Sequence, residues 1–212
     1  MGFRYGDGSM VNETRLRAKE WLVAPIPTHS EAAKIVAHWH YAKGSPNTST
    51  YRFGLYRVAD YPMTGEAFGV SLWIPPTKNA ALTVNENWQG VLSLSRFVID
   101  PEVPANGASF LLRRSMDAID AKRWPTLLTY ADTAHGHTGA IYKATGWHEL
   151  GRVPAGDVWI DAEGRQCGRK RGGVTLTVAE MTRRGLTRLP SNPKIKFVFG
   201  VLSSPTSVGG EA

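Results

Sequence analysis

Apolar and polar positions along this chain switch between a period near two and a period near 3.6, which lays out strands and helices in turn. TRLRAKEWLVAPI brings in a first strand at about Trp21 to Ile26. Thr28 followed by Glu31 has the spacing of a capping box, and Ala32, Ile35, Val36 and Trp39 recur at helical intervals, so a helix is expected from about Ser30 to His40. AKGSPNTST is a turn-rich loop, after which TYRFGLYRV and FGVSLWIPP read as an antiparallel pair of strands. A less regular loop from Thr77 to Gly90 leads into a strand at about Val91 to Asp100. The stretch from Ser93 to Trp147 then reads strand, loop, helix, strand, loop, helix: LSLSRFVID, PEVPANGAS and FLLRRSMDAIDAK, followed by TLLTYAD, TAHGHTG and AIYKATGW. Beyond Trp147, HELGRV is a strand and VWIDAEGRQCGRK a hairpin around Glu163 and Gly164. A short helix follows from about Val178 to Arg184, and KIKFVFG forms a closing strand. These elements make an α/β protein. Its expected parts are a loose arm (1–20), a core (21–160), a basic hairpin, helix and strand completing the domain (161–200), and a disordered tail (201–212).

Charge changes this picture. Residues 1–164 hold sixteen Lys/Arg against sixteen Asp/Glu, so the net charge of +7 falls wholly on residues 165–212, where nine basic residues face only Glu180 and Glu211. Arg165, Arg169, Lys170, Arg171, Arg183, Arg184, Lys194 and Lys196 lie among Gly, Thr and Pro, which suits a surface laid along a phosphate backbone. A solvated, merely soluble tail is the plainer alternative. No run reaches the roughly 18 apolar residues of a membrane span, and the Met1 end lacks the layout of a secretory signal, so a cytoplasmic protein is expected. Cys167 is the only cysteine, which excludes an intramolecular disulfide and a thiolate metal cluster.

Candidate chemistry sits on the two strand-loop-helix units. The loop ending in Asn106, Gly107, Ala108 and Ser109 opens a helix, and unpaired N–H groups with the positive end of the helix dipole attract phosphate there; Ser109 is expected to be the N-cap, with Gly107 and Ala108 leaving room for the anion. Asp132 closes the next apolar strand, where open sheets place their ligands, or else caps the helix beyond it. His40 and Tyr41 stand where a helix runs into a Gly-containing loop; His40 can relay a proton near neutral pH, or simply end the helix. His40 and Asp132 could hold a metal ion, with His135 and His137 able to join them. Tyr41, Tyr51, Trp73 and Trp88 are candidate aromatic contacts for a base.

The order of elements, with a loop-to-helix anion site followed by a strand and YKATGW, resembles the GNAT acyltransferase superfamily. That resemblance implies a central mixed, mostly antiparallel sheet splayed around its fourth and fifth strands and flanked by helices. It implies an acyl-CoA donor whose pyrophosphate lies on Pro104 to Ser109, and Tyr142 as the acid that protonates the leaving group. The usual loop carries Gln or Arg, then Gly, then Gly or Ala; this chain has Pro104, Gly107 and Ser109 at those places, and the donor stays unassigned. HYAKGSPNTSTYRFGLYR, LSLSRFVIDPEVPANGASFLLRRS and TYADTAHGHTGAIYKATGW, together with the basic tail, resemble the phage Mom proteins. These convert adenine in DNA to its N6-carbamoylmethyl form and so protect phage DNA from host restriction enzymes. What this implies here is a reaction centre near His40, Tyr41, Ser109 and Asp132, DNA and a small-molecule donor as partners, and the cytoplasm of an infected host as the location. An acetyl-CoA-dependent N-acetyltransferase and a non-catalytic DNA-binding accessory protein are the alternatives.

Overall fold

Residues 15–40, 44–46, 48–61, 66–154, 157–189 and 192–203 are described by a computed structural model, apart from the side chains of Gln166, Lys170 and Arg171. The chain divides into two compact units, residues 1–129, 140–149 and 197–212 forming the first and 130–139 and 150–196 the second. The end of the fifth strand and its loop fall in the second unit together with the basic segment.

In the first unit β1 (Trp21–Pro25) runs antiparallel to β2 (Tyr51–Arg57), with α1 (His29–Trp39) between them in the chain. The Thr28 side chain caps α1 by accepting the Glu31 N–H at 3.3 Å, as the Thr28/Glu31 spacing predicts. β3 (Gly69–Ile74) extends the antiparallel sheet, and α2 (Lys78–Leu82), capped by Thr77, occupies a stretch the sequence marks only as irregular. β4 (Val91–Ile99), α3 (Gly107–Asp117) and β5 (Thr126–Asp132) follow as the first strand-loop-helix unit and its parallel partner. Then come α4 (Ala140–Ala144), β6 (His148–Val153), β7 (Val158–Ile160), β8 (Gln166–Cys167), β9 (Lys170–Arg171), β10 (Val174–Thr175), α5 (Val178–Arg183), β11 (Thr187–Leu189) and β12 (Lys194–Gly200). The main sheet has seven strands in the order β1-β2-β3-β4-β5-β12-β6.

β3 is buried along five of its six residues because helices cover both of its faces. Val70 and Leu72 pack with Ala32 and Val36 of α1, together with Ile26 and Val98. The alternate residues face α3, where Leu111 joins Trp21, Leu55 and Val103. Between β3 and α3 a polar chain is sealed in the core: Trp73 Nε1 donates to Ser71 Oγ (3.2 Å), Ser71 meets Ser115 Oγ (2.8 Å), and Ser115 donates to the Leu111 carbonyl (2.7 Å). Ser71→Ala strands the Trp73 N–H in apolar surroundings and is expected to cost about 1–3 kcal/mol, read as a lower unfolding midpoint.

The described part of the N-terminal arm is not loose. Leu16 packs into the Trp21 cluster, its N–H donates to the Ala105 carbonyl (2.9 Å), and Arg15 forms a parallel bridge with Ala105. At the other end Val201 N–H donates to Pro125 O, and Ser203 is bonded to Asn85 Oδ1 (3.0 Å), so 201–203 are fastened rather than disordered; 204–212 lie outside the described residues. The second unit has a small sheet of order β11-β7-β8 around the buried Trp159, a β9-β10 hairpin, and α5 capped by Thr177. The hairpin turns at Gly164 (φ 77°), as the sequence predicts; β11 is an element the sequence reading omits.

Candidate functional site

β4 and β5 pair over three positions, from Val91–Thr126 to Ser93–Leu128. The β3 ladder shows why the pairing stops. Leu72 faces Arg96 and Trp73 faces Leu94, which leaves Ser95 as an extra residue in β4, a bulge that bends the strand where β5 lets go. Thr129 Oγ1 donates to the Leu94 carbonyl at 3.3 Å, and Arg96 donates to the Ser95 carbonyl (2.7 Å) and to Gly44 O (2.6 Å). Tyr142, on α4, hydrogen-bonds with Thr129 at the same opening, and its ring packs on Phe197 (5.1 Å between centroids) and Trp147 (5.7 Å). Burial pushes its pKa up, with the Thr129 hydrogen bond opposing, so the phenol keeps its proton at neutral pH.

The loop after β4 reaches α3 through Asn106 in the left-handed region (φ 74°), a conformation that Asn tolerates better than most residues. Ser109 is not the N-cap. It lies within the first turn, its hydroxyl donating back to the Asn106 carbonyl (3.0 Å), because α3 already begins at Gly107. Glycine at 107 is also what the packing beneath the loop admits, since a Cβ there would lie 2.2 Å from Val103 Cγ1. Its N–H donates to Pro104 O and that of Phe110 to Asn106 O, whereas among the described residues no acceptor meets the N–H groups of Ala108 and Ser109. Two unspent donors at the positive end of an eleven-residue helix fit a phosphate.

His40 ends α1. Its backbone N–H donates to Val36 O (2.9 Å), and the residue is buried, at 8% exposure. Tyr41 lies outside the described residues. His38 turns elsewhere, with its ring edge-on to Trp39 at 4.5 Å. The first unit thus carries His40, Ser109 and Tyr142, while Asp132 belongs to the second. There Asp132 Oδ1 accepts the Ala134 N–H (3.1 Å), capping the short turn Thr133–His135, and Oδ2 meets Lys194 Nζ at 3.3 Å. Burial lowers the His137 pKa, nearby His135 adds to that, and Asp132 opposes it, so the imidazole favours its neutral form.

The Mom protein family model matches residues 20–159, about two thirds of the chain. The chain belongs to the Mom family. No curated protein matches it. Among solved structures, the ribosomal-protein-S18-alanine N-acetyltransferase of Escherichia coli superposes with a TM-score of 0.50 at 12% identity, covering 89% of this chain and 99% of that one. A GCN5-related N-acetyltransferase from Kribbella flavida gives 0.50 at 9%, covering 87% and 100%. At such identities the likeness is one of fold, and this Mom-family chain has the GNAT acetyltransferase fold, with its mostly antiparallel sheet and the parallel β4–β5 pair.

The Mom-family match ends before most of the basic segment. There the cations are largely paired: Arg165 with Asp161 (2.7 Å) and Glu163 (3.0 Å), Arg184 (2.8 Å) and Arg183 with Glu180, Arg188 with Asp157 (2.6 Å) and Lys194 with Asp132. Arg169 donates twice to the Leu176 carbonyl, and burial lowers the Lys196 pKa. Lys170 and Arg171 form β9, and their side chains lie outside what is described. Among the described residues no group of three His, Cys, Asp or Glu is placed to hold a metal, so the metal reading of His40 and Asp132 gains no third ligand there. Among the described residues no helix is long and apolar enough to cross a membrane. Of the aromatic candidates, Trp73 is fully buried and Tyr51 stacks on Phe53; Trp39, at the end of α1, is 41% exposed. Sequence reading also passed over Thr129, whose one signal is a hydroxyl inside an otherwise apolar run, and the Ser95 bulge, which left no signal at all.

Proposed function

We propose that this chain transfers a small carboxamide-bearing group, as carbamoylmethyl, to N6 of adenine in DNA, with protection of phage DNA from host restriction enzymes as the consequence. The observation that carries this reading is that His40, Ser109, Asp132 and Tyr142 all fall inside the stretch matched by the Mom family. The exocyclic amine is a poor nucleophile because its lone pair is delocalised into the ring. As N6 forms its bond to the donor carbon it must lose a proton, and Asp132 or His40 takes it. The donor's leaving group departs with its electron pair, and the neutral phenol of Tyr142 supplies a proton to it. The N–H groups of Ala108 and Ser109 hold a phosphate of the donor, the place where the fold resemblance puts an acyl-CoA; an acyl thioester would deliver an N6-acyl group, so carbamoylmethyl transfer calls for a donor whose leaving group sits on the methylene carbon next to the carboxamide. The base must leave the duplex stack to be reached.

Plasmid DNA from bacteria expressing the chain, digested to nucleosides, is expected to contain carbamoylmethyl-deoxyadenosine by mass spectrometry. Unmodified adenine defeats the reading. An N6-acetyl product, which differs in mass, moves it to the acetyltransferase alternative. DNA docking falls to the basic segment, and Arg183→Gln with Arg184→Gln is expected to reduce the slope of log affinity on log salt by about 1–2. An unchanged slope takes both residues off the DNA.

A further inference from the structure

Asp132 closes β5 with a side chain only 15% exposed, and both of its oxygens are engaged, Oδ1 by the Ala134 N–H and Oδ2 by Lys194. Next to that contact Thr133 Oγ1 donates to the Pro193 carbonyl at 2.6 Å. Two consecutive residues at the end of β5 are thus fastened to two consecutive residues at the start of β12. Lys194 is 39% exposed and turned onto a carboxylate, whereas Arg183, paired with Glu180, is 77% exposed. A carboxylate has about four acceptor positions, so the two bonds fix its plane and leave capacity for an incoming amine proton. The charged and titratable neighbours on the same stretch are His135 and His137, with ring centroids 6.2 Å apart.

We propose that Lys194 is a positioning residue that orients the Asp132 carboxylate for the transfer, and that it is not a contact to DNA phosphate. This rests on Asp132 being a proton acceptor in the proposed reaction. The charge asymmetry of the sequence counts Lys194 with the DNA-facing cations; the geometry assigns it to the carboxylate.

The full chain and its Lys194→Met, Lys194→Arg, Asp132→Asn and Lys194→Met/Asp132→Asn variants are compared for kcat, for KM with plasmid DNA and for the salt dependence of DNA retention. Lys194→Met is expected to lower kcat about 10- to 100-fold through misplacement of the carboxylate, with KM and the salt slope unchanged. Lys194→Arg restores most of the rate, and the double variant is no slower than Asp132→Asn, because the lost cation acts only through that carboxylate. A salt slope reduced by about 1 with kcat retained overturns the proposal, as do additive losses in the double variant. Acylation of the Lys194 amine, followed by mass spectrometry, reads the contact without any turnover and is expected to speed up in Asp132→Asn. Equal rates overturn the proposal even where DNA is modified. Faster labelling with no modified nucleoside from the unaltered chain sinks the proposed reaction, and the positioning role with it, while upholding the contact.

Discussion

Asp132→Ala is expected to lower formation of the modified nucleoside about 10²- to 10⁴-fold, the range over which a positioned acid or base contributes, while DNA retention stays intact. The carboxylate is held by one N–H and one ammonium and sits at a strand end, where a ligand can approach it. Its removal takes away the cap of the Thr133–His135 turn, a loss of about 1 kcal/mol that leaves the fold standing, so the rate effect is separable from stability. Removing an anion beside Lys194 does not weaken attraction to phosphate. Digestion of modified plasmid from the variant, set beside a filter-retention titration over salt, checks both parts. Normal product yield would take Asp132 out of the mechanism.

Gly200→Ala is expected to be the most damaging single change to the fold. Gly200 has φ 92°, a conformation costly for any residue with a Cβ, and the added atom would lie 2.2 Å from the Pro125 carbonyl oxygen. That oxygen cannot move aside cheaply, because it accepts the Val201 N–H at 2.9 Å and so ties β12 to the start of β5. Strain and overlap together should cost about 3–5 kcal/mol, which for a chain of this length lowers the unfolding midpoint by about 10 °C. Circular dichroism melting reads it directly. A midpoint within a degree or two of the unaltered chain would mean that the β12–β5 junction relaxes freely. Gly107→Ala meets a side chain, Val103, that can rotate, and should cost less.

Much of the architecture was legible from local pattern. The Thr28 cap, the antiparallel β2–β3 pair, the strand and helix on either side of residues 100–106, and the hairpin at Gly164 each depend on residues close in sequence, so period and turn chemistry reported them. α2 was missed because five residues and one Thr cap give too short a period to see. Helical spacing alone cannot tell the exposed Trp39 in the last turn of α1 from the buried Ala32 and Val36 in the turns before it. Capping residues and first-turn residues share a chemistry, which is why the sequence points to Ser109 as the cap; the left-handed turn at Asn106 starts the helix three residues earlier.

The sequence by itself determined the alternation of elements, the family to which they belong and the sign of the charge in each half, since all three are written in residue types and short spacings. Only the tertiary structure decided which partners those charges find. Arg165, Arg183 and Arg184 meet acids two to four residues away, whereas Arg188 lies 31 residues from Asp157 and Lys194 lies 62 residues from the carboxylate it holds. The bulge at Ser95 and the parting of β4 from β5 likewise belong to the fold. Strand register is a property of two chains of hydrogen bonds meeting in space, and no stretch of one strand records where its partner will let go.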